Sequence, residues 1–584
     1  MATENGVIHP KSIGLPAKLE RHFLGSALDF SAWANLEPWF QKLSERTINS
    51  VADLEAWIRD WSELESVFGE ESGWRYINRS CDTTNPQYQE AYNFYVKELD
   101  PKMAPYNNSF EKKLVESPYL AQLPQGKYDI WIRALKESIR IYREENIPLF
   151  TDVDELAQDY AHCIGGLTIT WEGNELTIPQ AGNLLKNPDR EIRRQVFEKI
   201  VAAREVHREK LDTLFSKMVA LRHRIAQQAG FENYRDYTFS SLGRFDYTPA
   251  DCYTFHQSVM AEVVPLGNAI DREKQQQLGV ETLRPYDTTV DVKNRMPLRP
   301  FETSDELLDK TIVCLSRVHA SFADYFTIMR SMNRFDLESR KGKAPGGYNY
   351  SLHDSGVPFV FMNAANAHRD VVTIVHEAGH AVHAFLMRDL ELKFFRENPS
   401  EIDELASMSM ELMTMEHWDV FYSDAEELRR ARTEHLEKIM STLSWVAAID
   451  RFQHWIYENP DHTVAERTAA WMRIEQELGS EVIDWSGYEH ARETLWHRQL
   501  HVFEMPFYYI EYGFAQLGAI AVWRNYKNNP EKAVADYMNA LRLGYTKSIG
   551  GMYEAAGVHF NFSRDYVREL MQFVKTEYDR YNKG

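Results

Sequence analysis

Apolar side chains recur at three- and four-residue steps through most of this chain, the period of an amphipathic α-helix. SVADLEAWIRDWSELESVF (residues 50–68) shows the repeat, and YQEAYNFYVKELDPKMAPYNNSFEKKLVES (88–117) continues it. The stretch from Arg190 to Gly230 reads as one long helical run, with Gly230 as its stop. Strand signals are few. GLTITWEGNELTI (166–178) places two short β-prone runs around Glu172-Gly173-Asn174, a hairpin pattern, and GVPFVFMNAAN (356–366) is an apolar run of strand length. GKAPGGYNYSLHDSG before it is rich in glycine and turn formers and reads as a mobile loop. No internal repeat or low-complexity linker interrupts the chain. The pattern predicts a mainly α fold in two parts, an N-terminal helical domain over 1–185 that ends in the hairpin and a larger helical catalytic domain over 186–584 with one small sheet.

A chain of 584 residues exceeds what one compact core usually holds, which favours two such parts. With 87 Asp plus Glu against 66 Lys plus Arg, the formal charge is -21, a balance that argues against a nucleic-acid partner. Cys81, Cys163, Cys252 and Cys314 are scattered and form no CxxC, so they read as reduced thiols in a cytoplasmic protein. The opening MATENGVIHPKSIG lacks a basic region followed by an apolar run, and no stretch approaches a membrane span.

The chemistry concentrates in VVTIVHEAGHAVHAF (371–385). His376 and His380 are four apart, so on a helix they share a face and two imidazole nitrogens can reach one Zn²⁺. Glu377 is too close in sequence to ligate the same ion easily and is placed instead to take a proton from an activated water. Burying three such groups among Val371, Val372, Ile374, Val375, Ala378, Ala381, Val382 and Phe385 is costly unless a metal satisfies them. Position 386 is Leu386, which removes the histidine that a metzincin would use as its third ligand. That ligand is expected from NPSEIDELASMSMELM (398–413), a second helix with Ser400 and Asp403 in capping-box spacing, joined to the first by ELKFFRENP. Spacing alone leaves Glu401, Asp403, Glu404 and Glu411 open.

HEAGHAVH followed by EIDELASMSME resembles the thimet oligopeptidase and oligoendopeptidase F family of zinc metallopeptidases, most closely its oligoendopeptidase F branch. The resemblance covers about 340–520 most strongly and extends diffusely back to about 80. It implies a helical, clam-like shell with a deep substrate channel, Glu404 as third zinc ligand, and Glu401 and Glu411 as supporting acids. Upstream, Gly347 and Tyr348 match the family's Gly-Tyr turn, and the apolar strand after it would border the cleft and pair with extended substrate. Downstream, WHRQLHVFEMPFYYIEYGFAQLGA (496–519) resembles the family's histidine followed by a tyrosine-rich helix. That match makes His501 and Tyr508 donors to the oxyanion, with Tyr512 one helical turn on; His497 and Tyr509 compete for the two roles. His353 and His383 read as structural or supporting.

The expectation is a cytoplasmic endopeptidase with one Zn²⁺ per chain, cutting short unstructured peptides through water activated by the metal and by Glu377. It would bind neither nucleic acid nor membrane. An exopeptidase of similar fold, such as a carboxypeptidase or peptidyl dipeptidase, is the alternative within enzymes. A catalytically silent peptide-binding homologue is the alternative outside them.

Overall fold

A computed structural model describes residues 20–583 apart from residue 26. The opening MATENGVIHPKSIG, expected to carry no secretory signal, lies outside the described residues. The described chain is mainly helical, with a two-stranded and a three-stranded sheet. It divides into two compact units, neither of them one continuous stretch. Among the described residues, the first comprises those of 20–139, 299–428 and 518–560; the second comprises those of 140–298, 429–517 and 561–583.

In the first unit, the helix Val51–Cys81 starts where Ser50 accepts a hydrogen bond from the Asp53 amide, an N-cap that satisfies one orphan donor. Its Trp57 and Trp61 pack into an aromatic core with Phe40, Phe110 and Trp131. Phe394 enters the same core, stacked on Trp131 at 4.5 Å and against Trp61 at 4.7 Å. The connection ELKFFRENP is thereby pinned to the N-terminal helices, and Ser62 Oγ accepts from the Lys393 amide at 2.7 Å.

Three short strands form the larger sheet: β3 (Phe335–Glu338), β4 (Tyr348–Tyr350) and β5 (Phe359–Ala364), after the hairpin strands β1 (Thr168–Trp171) and β2 (Asn174–Thr177) of the second unit. The order is β3-β5-β4, with β5 parallel to β3 and antiparallel to β4. Two expectations change here. The apolar strand β5 is central, so its backbone is already paired on both sides and cannot accept a substrate strand; the edges are β3 and β4. The glycine-rich segment before it is not simply a loop, since Tyr348–Tyr350 pair with Phe359–Phe361. Lys343, whose side chain is fully buried, donates to Asp336 Oδ1 and to the Met362 carbonyl, tying that segment down.

In the second unit the hairpin forms as expected, with Trp171 opposite Asn174 and the turn at Glu172 (φ 49°) and Gly173 (φ 80°), both left-handed as a two-residue turn requires. The run from Arg190 to Gly230 is two helices rather than one, Arg190–Glu205 and Arg208–Gln228, with Gly230 past the second at φ 87°. No described helix is long and apolar enough to cross a membrane, and no disulfide joins any of the four cysteines.

Burial opposes ionisation of Asp336, but Arg340, Cys81 and Lys343 outweigh it and hold its carboxyl down at about 2. A carboxyl depressed in the folded state contributes stability that is full above its unfolded value near 4 and is lost as pH falls towards 2. Asp336→Asn is therefore expected to cost about 2 kcal/mol at neutral pH. In paired thermal melts, its deficit against the wild type should shrink only as the pH drops below about 4.

Candidate metal centre and catalytic groups

The HExxH motif lies on the helix His368–Met387, and the third-ligand candidates lie on Ser400–Met415. The second helix begins differently from expectation. Pro399 occupies the N-cap position and Ser400 is already helical, so no capping box forms. Asp403, freed from that role, sits 3.1 Å from His383 Nδ1.

The two helices run antiparallel, as the pairs 376–411, 380–404 and 383–403 show. They touch backbone to backbone at Gly379, where a Cβ would fall 2.4 Å from Ser407 Cα and 2.6 Å from the Ala406 carbonyl oxygen. Only glycine fits such a separation. This approach brings Glu404 Oε2 to 3.4 Å from His376 Nε2 and 3.9 Å from His380 Nε2. One donor atom from each of His376, His380 and Glu404 then lies within 4.8 Å of the other two, a spacing that a single cation can span. Of the four open acids, Glu404 is the one placed beside both imidazoles.

The surroundings orient these groups. His376 Nδ1 meets Glu411 Oε1 at 2.6 Å, which directs the Nε2 lone pair towards Glu404. Ser407 Oγ donates to Glu404 Oε2 at 3.0 Å, a contact that the sequence reading missed. Glu401 is buried, and its carbonyl accepts from Tyr553 Oη. Asn349, on β4, donates to the Glu377 carbonyl at 3.4 Å and sets the edge strand beside the motif helix. Gly347 and Tyr348 lie at the start of that strand, with Tyr348 stacked on Phe361 at 4.8 Å.

Glu377 is 6% exposed, and its Oε2 has no hydrogen-bond partner. Burial pushes its carboxyl up to about 7, an effect that His376 partly offsets. Burial also opposes charge on His376, yet the Glu411 hydrogen bond and the Glu404 and Glu377 fields prevail and raise it to about 10. The pocket thus attracts positive charge strongly. His380, buried and beside two other imidazoles, is held well below the usual histidine range and stays neutral.

In the second unit, His501 is stacked with Tyr508 at 5.7 Å and close to Tyr509 at 4.9 Å and Tyr512 at 5.9 Å. Tyr508 is not on the tyrosine-rich helix as expected; it lies in the turn before Ile510–Asn528, and Tyr512 is on the helix. Phe507 precedes it at φ 67°, a left-handed conformation unusual for a bulky residue. The conformation is held by Gln453 Oε1, which accepts from the Phe507 amide at 2.8 Å, and by Arg244, which donates to the Phe507 carbonyl. His497 is 7% exposed, with Nε2 3.4 Å from Asp212 Oδ1, and so is committed to the core.

Two further residues act on His501 that sequence reasoning did not find. Trp445 Nε1–H, a donor only, donates a hydrogen bond to Gln499 Oε1 at 2.8 Å. This fixes the amide, so that Gln499 Nε2 donates to His501 Nδ1 at 2.7 Å. His501 is then left with its proton on Nε2, and burial pushes its pKa down to about 4, so it is neutral at physiological pH.

Two histidines and a glutamate from paired helices, with a buried glutamate between the histidines in sequence, define the site of an HExxH metallopeptidase. A family profile described as Peptidase family M3 matches residues 183–572, and one described as Peptidase M3 N-terminal domain matches 30–142. The chain belongs to peptidase family M3, whose peptidases are zinc-dependent. It is 22% identical to an oligoendopeptidase F homolog of Borreliella burgdorferi over 549 residues, 89% of this chain and 87% of that one. It is 21% identical to oligopeptidase PepF of Bacillus subtilis, covering 94% and 85% of the two chains. Among solved structures, PZ peptidase A with inhibitor 2 superposes with a TM-score of 0.87 at 26% identity, covering 96% of this chain and 99% of that one. Oligoendopeptidase-F from Enterococcus faecium shares the fold at a TM-score of 0.61 and 15% identity, over 94% and 97% of the chains.

Gly379→Ala is expected to destabilise the first unit by about 1–3 kcal/mol, because the added methyl meets backbone that cannot rotate away. Calorimetry of the variant beside Gly550→Ala, whose added Cβ meets nothing within 4 Å, would isolate the packing effect.

Proposed function

We propose that this metallopeptidase is a zinc-dependent oligoendopeptidase that hydrolyses internal bonds of short, unstructured peptides. The observation that carries the reading is the convergence of His376, His380 and Glu404 beside the buried, unpartnered oxygen of Glu377. The donor set of two imidazoles and a carboxylate suits zinc, and the raised proton affinity of His376 reflects a field that a divalent cation would exploit. Bound there, zinc would act as a Lewis acid and bring the pKa of a water towards neutrality.

The chain's own groups do the rest. Glu377, buried and poised near neutrality, takes a proton from the attacking water and delivers it to the leaving amine. Water adds to the scissile carbonyl carbon, the C–N bond breaks, and a carboxylate and an amine leave. Glu411 holds the His376 ring through Nδ1, and Ser407 holds the Glu404 carboxylate. His501, neutral and with its proton on Nε2, and Tyr508 donate hydrogen bonds to the oxyanion. Tyr512 supports this pair, and Gln499 with Trp445 keeps the His501 tautomer. The β4 edge, rather than β5, is the strand open to pair with extended substrate near Gly347 and Tyr348.

Internal cleavage is supported by relatives named oligoendopeptidase F, and peptide substrates by the relative named oligopeptidase. A division into an N-terminal domain to residue 185 and a catalytic domain from 186 draws support from the two separate family matches, 30–142 and 183–572, while the compact units follow a different, interleaved division. A cytoplasmic location is supported by four cysteines without a disulfide.

Mass spectrometry of a mixture of peptides of graded length, with and without a chelator, tests the reading. Internal cuts confined to short peptides and abolished by the chelator are expected; cuts at a fixed distance from one terminus would identify an exopeptidase instead. Glu377→Gln should lower kcat by roughly 10²–10⁴-fold while the metal content per chain stays that of the wild type. Glu411→Gln should weaken zinc affinity by roughly 10–100-fold in a competition titration. His501→Ala and Tyr508→Phe should each lower kcat by on the order of 10²-fold with zinc content unchanged, and Gln499→Met by less.

A further inference from the structure

The second unit contains another group of metal-type ligands, away from the HExxH motif in sequence and with no part in the proposed hydrolysis. The helix Pro249–Glu262 carries Cys252 and His256, and the helix Ala425–Glu458 carries Asp450 and His454. Each pair is spaced i,i+4, so each presents its two side chains on one face. All four are buried, at 0%, 1%, 0% and 0% exposure respectively. His256 Nε2 lies 2.7 Å from Asp450 Oδ2, and His454 Nε2 lies 3.2 Å from the same oxygen.

The hydrogen bonds here do not close. Asp450 Oδ1, His256 Nδ1 and both ring nitrogens of His454 have no hydrogen-bond partner, because the 3.2 Å contact lacks hydrogen-bond geometry. The surroundings are largely aromatic: His454 packs against Phe239, Tyr253 and Phe507. A carboxylate oxygen and imidazole lone pairs buried in such a shell without partners are rare, and they call for a ligand. One donor atom from each of Cys252, Asp450 and His454 lies within 4.8 Å of the other two.

We propose that Cys252, Asp450 and His454 bind a second divalent metal ion, structural rather than catalytic, with His256 orienting Asp450. Sulfur, nitrogen and oxygen donors together suit Zn²⁺. A thiolate and a carboxylate neutralise its two charges, as an aromatic interior requires. At metal–ligand distances of about 2.0–2.3 Å, neighbouring ligand atoms stand roughly 3.3–3.7 Å apart, and donor atoms of Cys252, Asp450 and His454 already lie within 4.8 Å of one another. His256 donates Nε2–H to Asp450 Oδ2 and leaves Oδ1 for the metal, the outer-sphere pattern common at such sites.

The consequence is local rigidity. Phe507, the left-handed residue before Tyr508, rests on the His454 ring at 5.2 Å, and the neighbouring Gln453 holds its amide. An ion joining the two helices would stiffen the support beneath Tyr508.

Cobalt distinguishes this site from the HExxH centre, because the HExxH ligands include no thiolate. The full-length chain would be produced in zinc-depleted, cobalt-supplemented medium, then analysed for metal per chain and for near-ultraviolet thiolate-to-cobalt absorption. Two cobalt ions per wild-type chain are expected, together with that band. His376→Ala/His380→Ala should retain one ion and the full band. Cys252→Ser should abolish the band; should that variant fail to fold, Cys81→Ser/Cys163→Ser/Cys314→Ser, with Cys252 intact, should keep it. One cobalt per wild-type chain with no thiolate band would overturn the proposal, as would a band lost in the triple variant but kept in Cys252→Ser.

Discussion

The candidate catalytic centre depends on how closely two helices approach at Gly379. With no Cβ there, the Ser407 backbone lies against the motif helix, and the antiparallel register is fixed by contact rather than by the connecting loop. Glu404 then falls opposite His380, Glu411 opposite His376 and Asp403 opposite His383. A methyl group at position 379 would separate the carboxylates from the imidazoles by enough to spoil a geometry that tolerates only a few tenths of an ångström. Phe394 and Phe395, buried in the N-terminal aromatic core, hold the connection between the helices in place. The first unit is therefore a scaffold for this one register.

The electrostatics derive from that register. Three glutamates and two imidazoles are gathered where water is scarce, so each charge is felt strongly by the others. The carboxylates raise the proton affinity of His376 while burial raises that of Glu377, leaving a pocket that favours positive charge next to a carboxyl poised near neutral pH. A related arrangement, an i,i+4 pair of ligand-type side chains on one helix facing a further such group on a second helix, recurs in the second unit with Asp450 and His454 opposite Cys252.

The segment 496–512 shows how burial separates residues of one type. His497 and His501 are one turn apart in sequence, but His497 is taken by Asp212 in the core, whereas His501 faces three tyrosines and is held by Gln499. Tyr508 is presented by a turn and not by a helix. Arg244 and Gln453 bind the Phe507 backbone and hold it at positive φ, a cost that tertiary contacts meet.

The sequence by itself determined the elements whose signals are local. The apolar period of 3–4 residues gave the helices, Glu172-Gly173 gave the hairpin turn, and HExxH within an apolar run gave two ligands and a base, because residue spacing on one helix is fixed by its geometry. Spacing left four acids open as the third ligand, and the family resemblance pointed to Glu404. The sequence pattern placed Ser400 at a cap taken by Pro399, and it put β5 where β4 forms the edge. Those matters were decided only by the tertiary structure, since each depends on which residues distant in sequence come into contact. The position of Glu404 beside both imidazoles rests on Gly379 meeting Ser407, the β4 edge on β3 taking the other side of β5, and the His501 tautomer on Trp445, 54 positions from Gln499. Local patterning specifies what each element can be; side-chain volume and hydrogen-bond satisfaction at the contacts determine what it does.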